Sequence, residues 1–175
     1  MFGPVRIERT LTVPTWDGKR SRSALEYWRA RGFQDVCLDS DGAIRGTRGS
    51  WQMAWASGFR EEKDSAWGHV SPSKLPATLE MAPEAEEAVR VQLTLHSWMV
   101  RRSGEWDAAF LRVEIVELQH LLLGKEMAAE VWSRFNRAAR HLSRVQVWTK
   151  FLGRRLPEEL EAEISDLEVR FLVTP

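Results

Sequence analysis

Hydrophobic and polar residues alternate along the first part of the chain. Apolar residues take most of the odd positions over 5–13 and, in the clearest run, over 89–99, with polar residues between them. A period of two is typical of strands that have one face on a core and the other in water. Shorter runs of the same kind predict further strands at 36–38, 43–48, 51–55 and 77–81. The pattern therefore predicts an antiparallel sheet of about five to six strands.

The spacing of apolar residues changes to that of helices in two places. Ser23 and Glu26 have the spacing of a capping box, and Gly32 suits the left-handed position after a helix, so a short helix is predicted over 24–31. A longer helix is predicted over 104–123. Its apolar residues lie on two sides, so it needs a cover on each, the sheet on one side and the C-terminal part of the chain on the other.

The last third of the chain predicts a helical hairpin. Apolar residues from Val131 to Leu152 step by four and three, which gives a heptad-like seam along a helix over 125–152. Gly153 ends this helix. Pro157 suits the first turn of a last helix, in which the same spacing of apolar residues returns.

Together these elements predict an α+β fold. An antiparallel sheet with one inserted helix and one backing helix forms a domain over 1–123, and the helical hairpin occupies 124–175. The hairpin either extends this domain or forms an interaction arm. A long loop is predicted over 57–76, which is rich in Gly, Pro, Ser and charge, and loops of that length are either functional or mobile.

Composition and charge narrow the class of protein. The chain has 175 residues, 43% hydrophobic and 29% charged, which is typical of one soluble globular domain. Its 25 basic and 25 acidic residues cancel, which argues against a nucleic-acid coat, and no specific nucleic-acid partner is predicted. Charges over 1–10 argue against a signal peptide, and the apolar stretch over 91–100 is about half as long as a membrane span. We predict a cytoplasmic protein that is not integral to a membrane, with contact to a membrane surface left open.

The single cysteine bears on compartment and on catalysis. Cys37 cannot form an internal disulfide, which predicts a reducing compartment. Because it alternates with Val36 and Leu38 on a predicted strand, it is interpreted as a buried or half-buried thiol. His69, in the predicted long loop, is interpreted as solvated, because no nucleophile elbow or phosphate loop accompanies it. No catalytic residue is predicted.

One helix carries candidate metal ligands. Glu114, Glu117 and His120 lie at i, i+3 and i+6, and the last two have the Glu-x-x-His spacing that carboxylate-bridged di-metal sites use. Such a site needs a second set of ligands, and the chain has no second Glu-x-x-His motif. We therefore predict no metal and no cofactor. Glu117 is expected instead to pair with an arginine of the following helix.

Nine tryptophans are more than a chain of this length usually carries. Trp51, Trp55 and Trp98 fall on predicted strands, where they could line a pocket for a small apolar or aromatic ligand. Core packing explains the same residues without a ligand and is the preferred interpretation. On that interpretation the helix over 104–123 covers the face that carries Trp51 and Trp55.

A basic strip flanks the apolar seam of the predicted 125–152 helix. Such a strip could meet phosphates, an anionic lipid surface or an acidic protein. The last helix offers an internal alternative, which is preferred, because it carries six acidic residues that antiparallel pairing would bring near the arginines: Glu158, Glu159, Glu161, Glu163, Asp166 and Glu168. The predicted interaction site combines seam and strip, with the residues Val131, Phe135, Leu142, Val145, Arg134, Arg137, Arg140, Arg144 and Trp148.

Several short motifs give the chain a weak family resemblance. Arg48-Gly49-Ser50, the stretch SPSKLPATL over 71–79, the strand over 89–100 and the helix with Trp106 and Phe110 resemble a class of uncharacterised bacterial α+β domains, over residues 3–123. Many members of that class continue into transmembrane helices. An amphipathic charged hairpin stands in their place here. The resemblance implies no activity, but it suggests a platform that works through what is attached to it.

The sequence therefore favours a non-catalytic protein–protein interaction or assembly module. Its C-terminal helices would bind a second copy of the chain or another protein. A small-ligand-binding protein that uses the tryptophan-rich sheet face is the alternative, and an enzyme or metal protein comes third.

Overall fold

A computed structural model describes residues 4–49, 77–96, 103–125 and 158–172. Within these ranges the chain forms five strands and three helices. In chain order they are β1 (Val5–Thr12), α1 (Gly18–Ala30), β2 (Gln34–Leu38), β3 (Ile44–Arg48), β4 (Ala77–Ala85), β5 (Ala88–Leu95), α2 (Ser103–Leu122) and α3 (Glu158–Phe171). The predicted strand at 51–55, the loop over 57–76 and the helix over 125–152 lie outside the described residues.

The five strands form one antiparallel sheet in the order β1-β5-β4-β3-β2. The predicted α+β class with an antiparallel sheet is therefore confirmed. β2 to β5 form a meander, and β1 pairs with β5, so β1 and β2 are the two edges. In the chain, β1 precedes α1 and β2 follows it, so α1 crosses from one edge of the sheet to the other.

The alternating sequence pattern gives the sheet one apolar face. Ile7 lies opposite Leu93, which lies opposite Leu79 on the next strand, and all three are buried. We call this side the core face and the polar side the outer face. Burying a large aliphatic side chain contributes about 2 kcal/mol, so such rows fix the register, because a slip of one residue would expose every one of them.

Helix α1 is longer than predicted and starts earlier. It begins at Gly18, and the side chain of Asp17 accepts hydrogen bonds from the backbone N–H groups of Lys19 and Arg20. The predicted capping box at Ser23 is wrong, because Asp17 already satisfies the first free N–H groups of the helix. The predicted left-handed glycine after the helix is confirmed, since Gly32 has a φ of 84°.

Edge strand β2 departs from regular alternation. Asp35 has a φ of 52°, and the pairing with β3 shifts between Gln34 and Cys37. Only Val36 of this strand is buried, and Cys37 is exposed. The prediction of a buried or half-buried thiol is therefore wrong, because Cys37 follows the inward Val36 and lies on the outer face, opposite Arg45.

Strand β4 is longer than the pattern predicted, and one helix residue closes an edge of the sheet. β4 continues to Ala85, beyond its predicted end at 81, and Glu86 and Glu87 form the turn to β5. At the other side of the sheet, the side-chain amide of Gln119 accepts from Thr12 N (3.0 Å) and donates to Thr12 O (2.7 Å). One carboxamide thus takes the place that a neighbouring strand would occupy beside Thr12.

Helix α2 is covered on two sides, as its pattern predicted. It packs on β1 and β5 of the sheet and contacts both α1 and α3. The residues Leu160, Ile164 and Leu167 of α3 are buried and belong to the same apolar core as the sheet. Of the helices in the described ranges, none is both long and apolar enough to cross a membrane.

Helices α2 and α3 run in the same general direction. Arg112, in the middle of α2, contacts Glu161, and His120, near the end of α2, packs on Phe171 at the end of α3. Later residues of one helix thus meet later residues of the other. The start of α3 therefore lies away from the end of α2, and residues 126–157 between them are outside the described part of the chain.

Candidate functional site

Most of the predicted site residues lie outside the described part of the chain. This holds for the three tryptophans of the alternative ligand pocket, Trp51, Trp55 and Trp98, and for all nine residues of the predicted interaction site. The metal candidates Glu114, Glu117 and His120 lie on α2, inside the described part. Their surroundings contain two clusters of charged side chains, one on each side of α2.

The first cluster, which we call the inner cluster, consists of Tyr27, Arg31, Arg48, Glu114 and Glu117. At its centre Arg48 donates two hydrogen bonds to Glu114, from Nη1 to Oε1 (2.9 Å) and from Nη2 to Oε2 (3.1 Å). Both side chains are 1% exposed. Arg48 is the last residue of β3 and shares the inward phase of Ile44, which is why its side chain enters the core.

Three further contacts hold Arg48 in place. Its Nη1 also donates to the carbonyl oxygen of Arg31 (2.9 Å), and its guanidinium lies 4.5 Å from the centre of the Phe33 ring. Its Nε, like Trp28 Nε1, is buried and has no hydrogen-bond partner among the residues that the structure describes. A bidentate, stacked arginine offsets much of the cost of burying two charges, but the unpaired Nε adds to that cost.

The other half of the inner cluster reaches the surface between α1 and α2. The Tyr27 hydroxyl lies 2.8 Å from the carbonyl oxygen of Glu114 and 2.8 Å from Glu117 Oε2, and Arg31 pairs with the same carboxylate oxygen. The side chains of Arg31 and Glu117 are 29% and 14% exposed. Glu117 thus pairs with Arg31 of α1, which precedes it in the chain, and the arginines of the predicted following helix lie outside the described residues.

Burial governs the proton equilibria of this cluster. Burial raises the pKa of Glu114, and the Arg48 guanidinium only partly offsets it. Burial also raises the pKa of Tyr27 well above its usual range, and the negative charges of Glu114 and Glu117 add to that. Tyr27 therefore stays neutral, and its single hydroxyl proton is shared between two acceptors.

The three metal candidates do not converge on one point. Glu114 faces Arg48 on β3, and Glu117 faces α1. His120 turns toward α3, with Nδ1 2.9 Å from the carbonyl oxygen of Val116 and its ring 4.4 Å from that of Phe171. Across the described ranges no three His, Cys, Asp or Glu side chains are grouped so that they could hold a metal ion.

The second cluster, which we call the outer cluster, fastens α3 to the rest of the fold. It consists of Arg9, Arg112, Glu161, Ser165 and Glu168. Arg112 donates to Glu161 (2.6 Å), to Ser165 (3.2 Å) and to Glu168 (2.6 and 3.0 Å), and Arg9 of β1 donates to the other oxygen of Glu168 (2.9 Å).

Glu168 is the central acceptor of the outer cluster. Burial raises its pKa, but hydrogen bonds from Arg112 and Arg9 outweigh this and hold the pKa below its usual range. Glu161 and Glu168 were two of the six acidic residues expected to meet the basic strip over 134–144. Within the described residues their partners are instead Arg112 and Arg9, which come from α2 and β1.

A third polar region lies on the outer face of the sheet. It is a shallow, open depression of about 380 Å³ that crosses β2, β3, β4 and β5. The side chains and backbone that line it come from Asp35, Arg45, Gly46, Thr47, Thr78, Leu79, Glu80, Gln92 and Thr94. No sequence motif pointed to it, because each residue is an ordinary polar member of an alternating strand.

Sequence reasoning missed Tyr27, Arg31 and Arg48 as members of a site. A signal for Arg48 was available, because it occupies an inward position of a strand, in phase with Ile44 and Gly46. Glu114 occupies an apolar side of α2 in the same way. Two opposite charges at inward positions of different elements are a pattern that predicts a buried ion pair.

Comparison with protein-family models, with curated proteins and with solved structures finds no match for this chain.

Proposed function

We propose that this protein is a non-catalytic assembly module that pairs with a second copy of itself through its C-terminal helices. The working residues are the seam and strip predicted over 131–148, with Phe135 and Leu142 at the centre of the seam. The sheet, α1 and α2 form the platform, and α3 ties the C-terminal region to it.

The observation that carries this proposal is the use of α3. Its apolar residues Leu160, Ile164 and Leu167 pack into the core shared with α2 and the sheet. These were the side chains within the chain that could cover the predicted seam. Since α2 already uses them, a second copy is the cover we propose for the seam, and a seam that buries against its own copy is a common basis of assembly.

The charges of α3 support the same proposal. Glu161 and Glu168 are bound to Arg112 and Arg9, so these two carboxylates are not available to neutralise a basic strip. Arginines beside an apolar seam then set the orientation and the rate of association more than its affinity.

The parallel course of α2 and α3 supports the proposal through a length argument. The start of α3 lies away from the end of α2, and the helix predicted over 125–152 would be about 42 Å long, against about 30 Å for α2. A returning helix longer than the pair it follows leaves at least part of its length for a partner. This length argument remains a prediction about the helix over 125–152.

The test is the mass of the protein in solution. We expect light scattering to show at least a dimer for the parent chain and a monomer for the double variant Phe135→Asp, Leu142→Asp. The thermal unfolding of the double variant should match that of the parent. The matched control is Leu38→Asp, Leu121→Asp, which places the same charges at two apolar residues that are 44% and 45% exposed. The control should assemble like the parent.

Two results would contradict the proposal. One is a parent protein that is monomeric at every concentration measured. The other is a double variant that unfolds as a whole, because Phe135 and Leu142 would then belong to the core of a single chain.

A further inference from the structure

The depression on the outer face has a regular polar floor. Cross-strand pairing places Thr47, Thr78 and Thr94 side by side on β3, β4 and β5. The neighbouring row, two residues along the strands, holds Arg45, Glu80 and Gln92 in the same order. Because adjacent strands lie about 4.8 Å apart, each row spans about 10 Å.

Differences in side-chain length make this surface uneven. The short threonines form a floor, and the longer Glu80 and Gln92 rise beside them as a wall. Thr94 is 8% exposed although it belongs to the outer face, so the floor lies deepest there. Asp35, which the bulge of β2 holds in the left-handed region, closes the end of the depression.

Glu80 lacks the partner that its position offers. Arg45 lies directly opposite it on β3, but the guanidinium of Arg45 pairs with Asp39 instead. In the part of the chain that the structure describes, no hydrogen-bond or ion-pair partner faces the carboxylate of Glu80, the amide of Gln92 or the hydroxyl of Thr94. A half-buried carboxylate without a hydrogen-bond donor lowers the stability of the fold unless a bound molecule supplies the donor.

We propose that this depression binds a small protonated amine that also carries hydroxyl groups. Glu80 and Asp35 accept hydrogen bonds only, and both are negative, so they favour an ammonium group. Thr47, Thr94 and Gln92 both donate and accept, which suits hydroxyl groups. Arg45, the cation in the lining, is already neutralised by Asp39, which leaves the depression net negative and disfavours anions.

The size of the depression fits a ligand of one or two sugar rings. A volume of about 380 Å³ is at the small end of the range for small-molecule sites. The open shape predicts weak binding with fast exchange. This ligand class differs from the apolar or aromatic one that the tryptophans suggested, because the described part of the outer face is polar.

The experiment uses two probes that differ in one group. D-Glucosamine carries an ammonium group where D-glucose carries a hydroxyl. We titrate each into the ¹⁵N-labelled full chain, at a pH where the amine is protonated, and follow the backbone amide resonances. Glucosamine should shift those of Thr47, Gln92 and Thr94, and glucose should bind at least about tenfold more weakly.

Two charge-neutralising variants locate the effect. Glu80→Gln should weaken glucosamine binding about tenfold or more, whereas Glu86→Gln, the same change in the exposed β4–β5 turn, should leave it unchanged. Thr94→Val serves as a second test that changes no charge and should also weaken binding. Thermal melts of all variants check that they fold.

The proposal is wrong if glucose binds as tightly as glucosamine, if the shifted amides lie away from the depression, or if Glu80→Gln and Glu86→Gln weaken binding equally. Assembly is measured on residues of the C-terminal region, so either proposal can fail without the other.

Discussion

The inner and outer clusters lie on opposite sides of α2 and differ in how deeply they are buried. Each joins α2 to another helix and to a strand through arginine and glutamate. The central pair of the inner cluster, Arg48 and Glu114, is closed to water at 1% exposure. In the outer cluster the side chains of Arg112 and Glu168 are 14% and 11% exposed, and those of Arg9 and Glu161 are 34% and 46% exposed.

This difference in exposure separates two roles of an ion pair. A fully buried pair contributes little net stability, since desolvation consumes much of the attraction, but it penalises every arrangement that leaves one charge alone. A partly exposed cluster loses less solvation free energy when it forms, and breaking it costs less stability. The inner cluster therefore fixes how α1, β3 and α2 fit together, and the outer cluster fastens α3 more reversibly.

The largest effect should come from removing one side of the buried pair. Glu114→Leu leaves the Arg48 charge in the core without a partner and should lower the free energy of unfolding by about 3–5 kcal/mol. Chemical denaturation measures it. The double variant Arg48→Met, Glu114→Leu is the control and should recover most of the loss. A single variant as stable as the parent would show that Arg48 finds water, and the contrast between the clusters would collapse.

An intermediate effect, with a characteristic pH dependence, is expected in the outer cluster. Glu168→Gln should cost about 1–3 kcal/mol at neutral pH, because Arg9 and Arg112 lose a charged acceptor. Because the folded state lowers the pKa of Glu168, its contribution is present above the pKa of the unfolded chain and is lost as pH falls through the folded value. The gap between parent and variant should therefore shrink between about pH 5 and pH 3.

The sign is opposite for Glu114 of the inner cluster. Its pKa is raised by burial, so its contribution to stability is present below the pKa of the unfolded chain and is lost as pH rises through the folded value.

The control for Glu168→Gln is Glu159→Gln, an exposed change on the same helix. It should show neither the loss of stability nor the pH dependence. If it behaves like Glu168→Gln, the general charge of α3 is responsible rather than the cluster.

The smallest effect should come from the Tyr27 hydroxyl, which connects the buried pair of the inner cluster to the half that reaches the surface. Tyr27→Phe removes the hydroxyl between the carbonyl oxygen of Glu114 and the Glu117 carboxylate and keeps the ring in place. We expect a loss of about 1 kcal/mol by chemical denaturation. A loss as large as that of Glu114→Leu would mean that the whole inner cluster behaves as one unit with no exposed half.

Much of the fold could be predicted from the period of the sequence. Strands β1 and β5 and helix α2 follow from apolar spacing alone, because each has a face that must be buried. The failures lie where local chemistry competes with the pattern. Asp17, and not Ser23, caps α1, and the left-handed Asp35 gives β2 a bulge that interrupts its pairing with β3. Neither the capping choice nor a bulge leaves a mark in the spacing of hydrophobic residues.

The candidate sites were less predictable, for a different reason. Glu114, Glu117 and His120 were recognised as a group from their spacing on one helix. Their partners, however, come from α1, β3 and α3, and a spacing rule within one helix contains no information about the elements that pack against it. The outer-face depression depends on cross-strand register, which can be derived only once the order of strands is known.

The carboxamide of Gln119 on the edge of β1 limits how this sheet can grow. A foreign strand arriving at Thr12 would have to displace two hydrogen bonds that are supplied from the same molecule and are therefore always at hand. Along β1, an added strand would have to start between Arg6 and Thr10, where charged side chains on the outer face oppose it. The resistance of the β1 edge to strand addition should thus depend in part on one uncharged side chain of a helix.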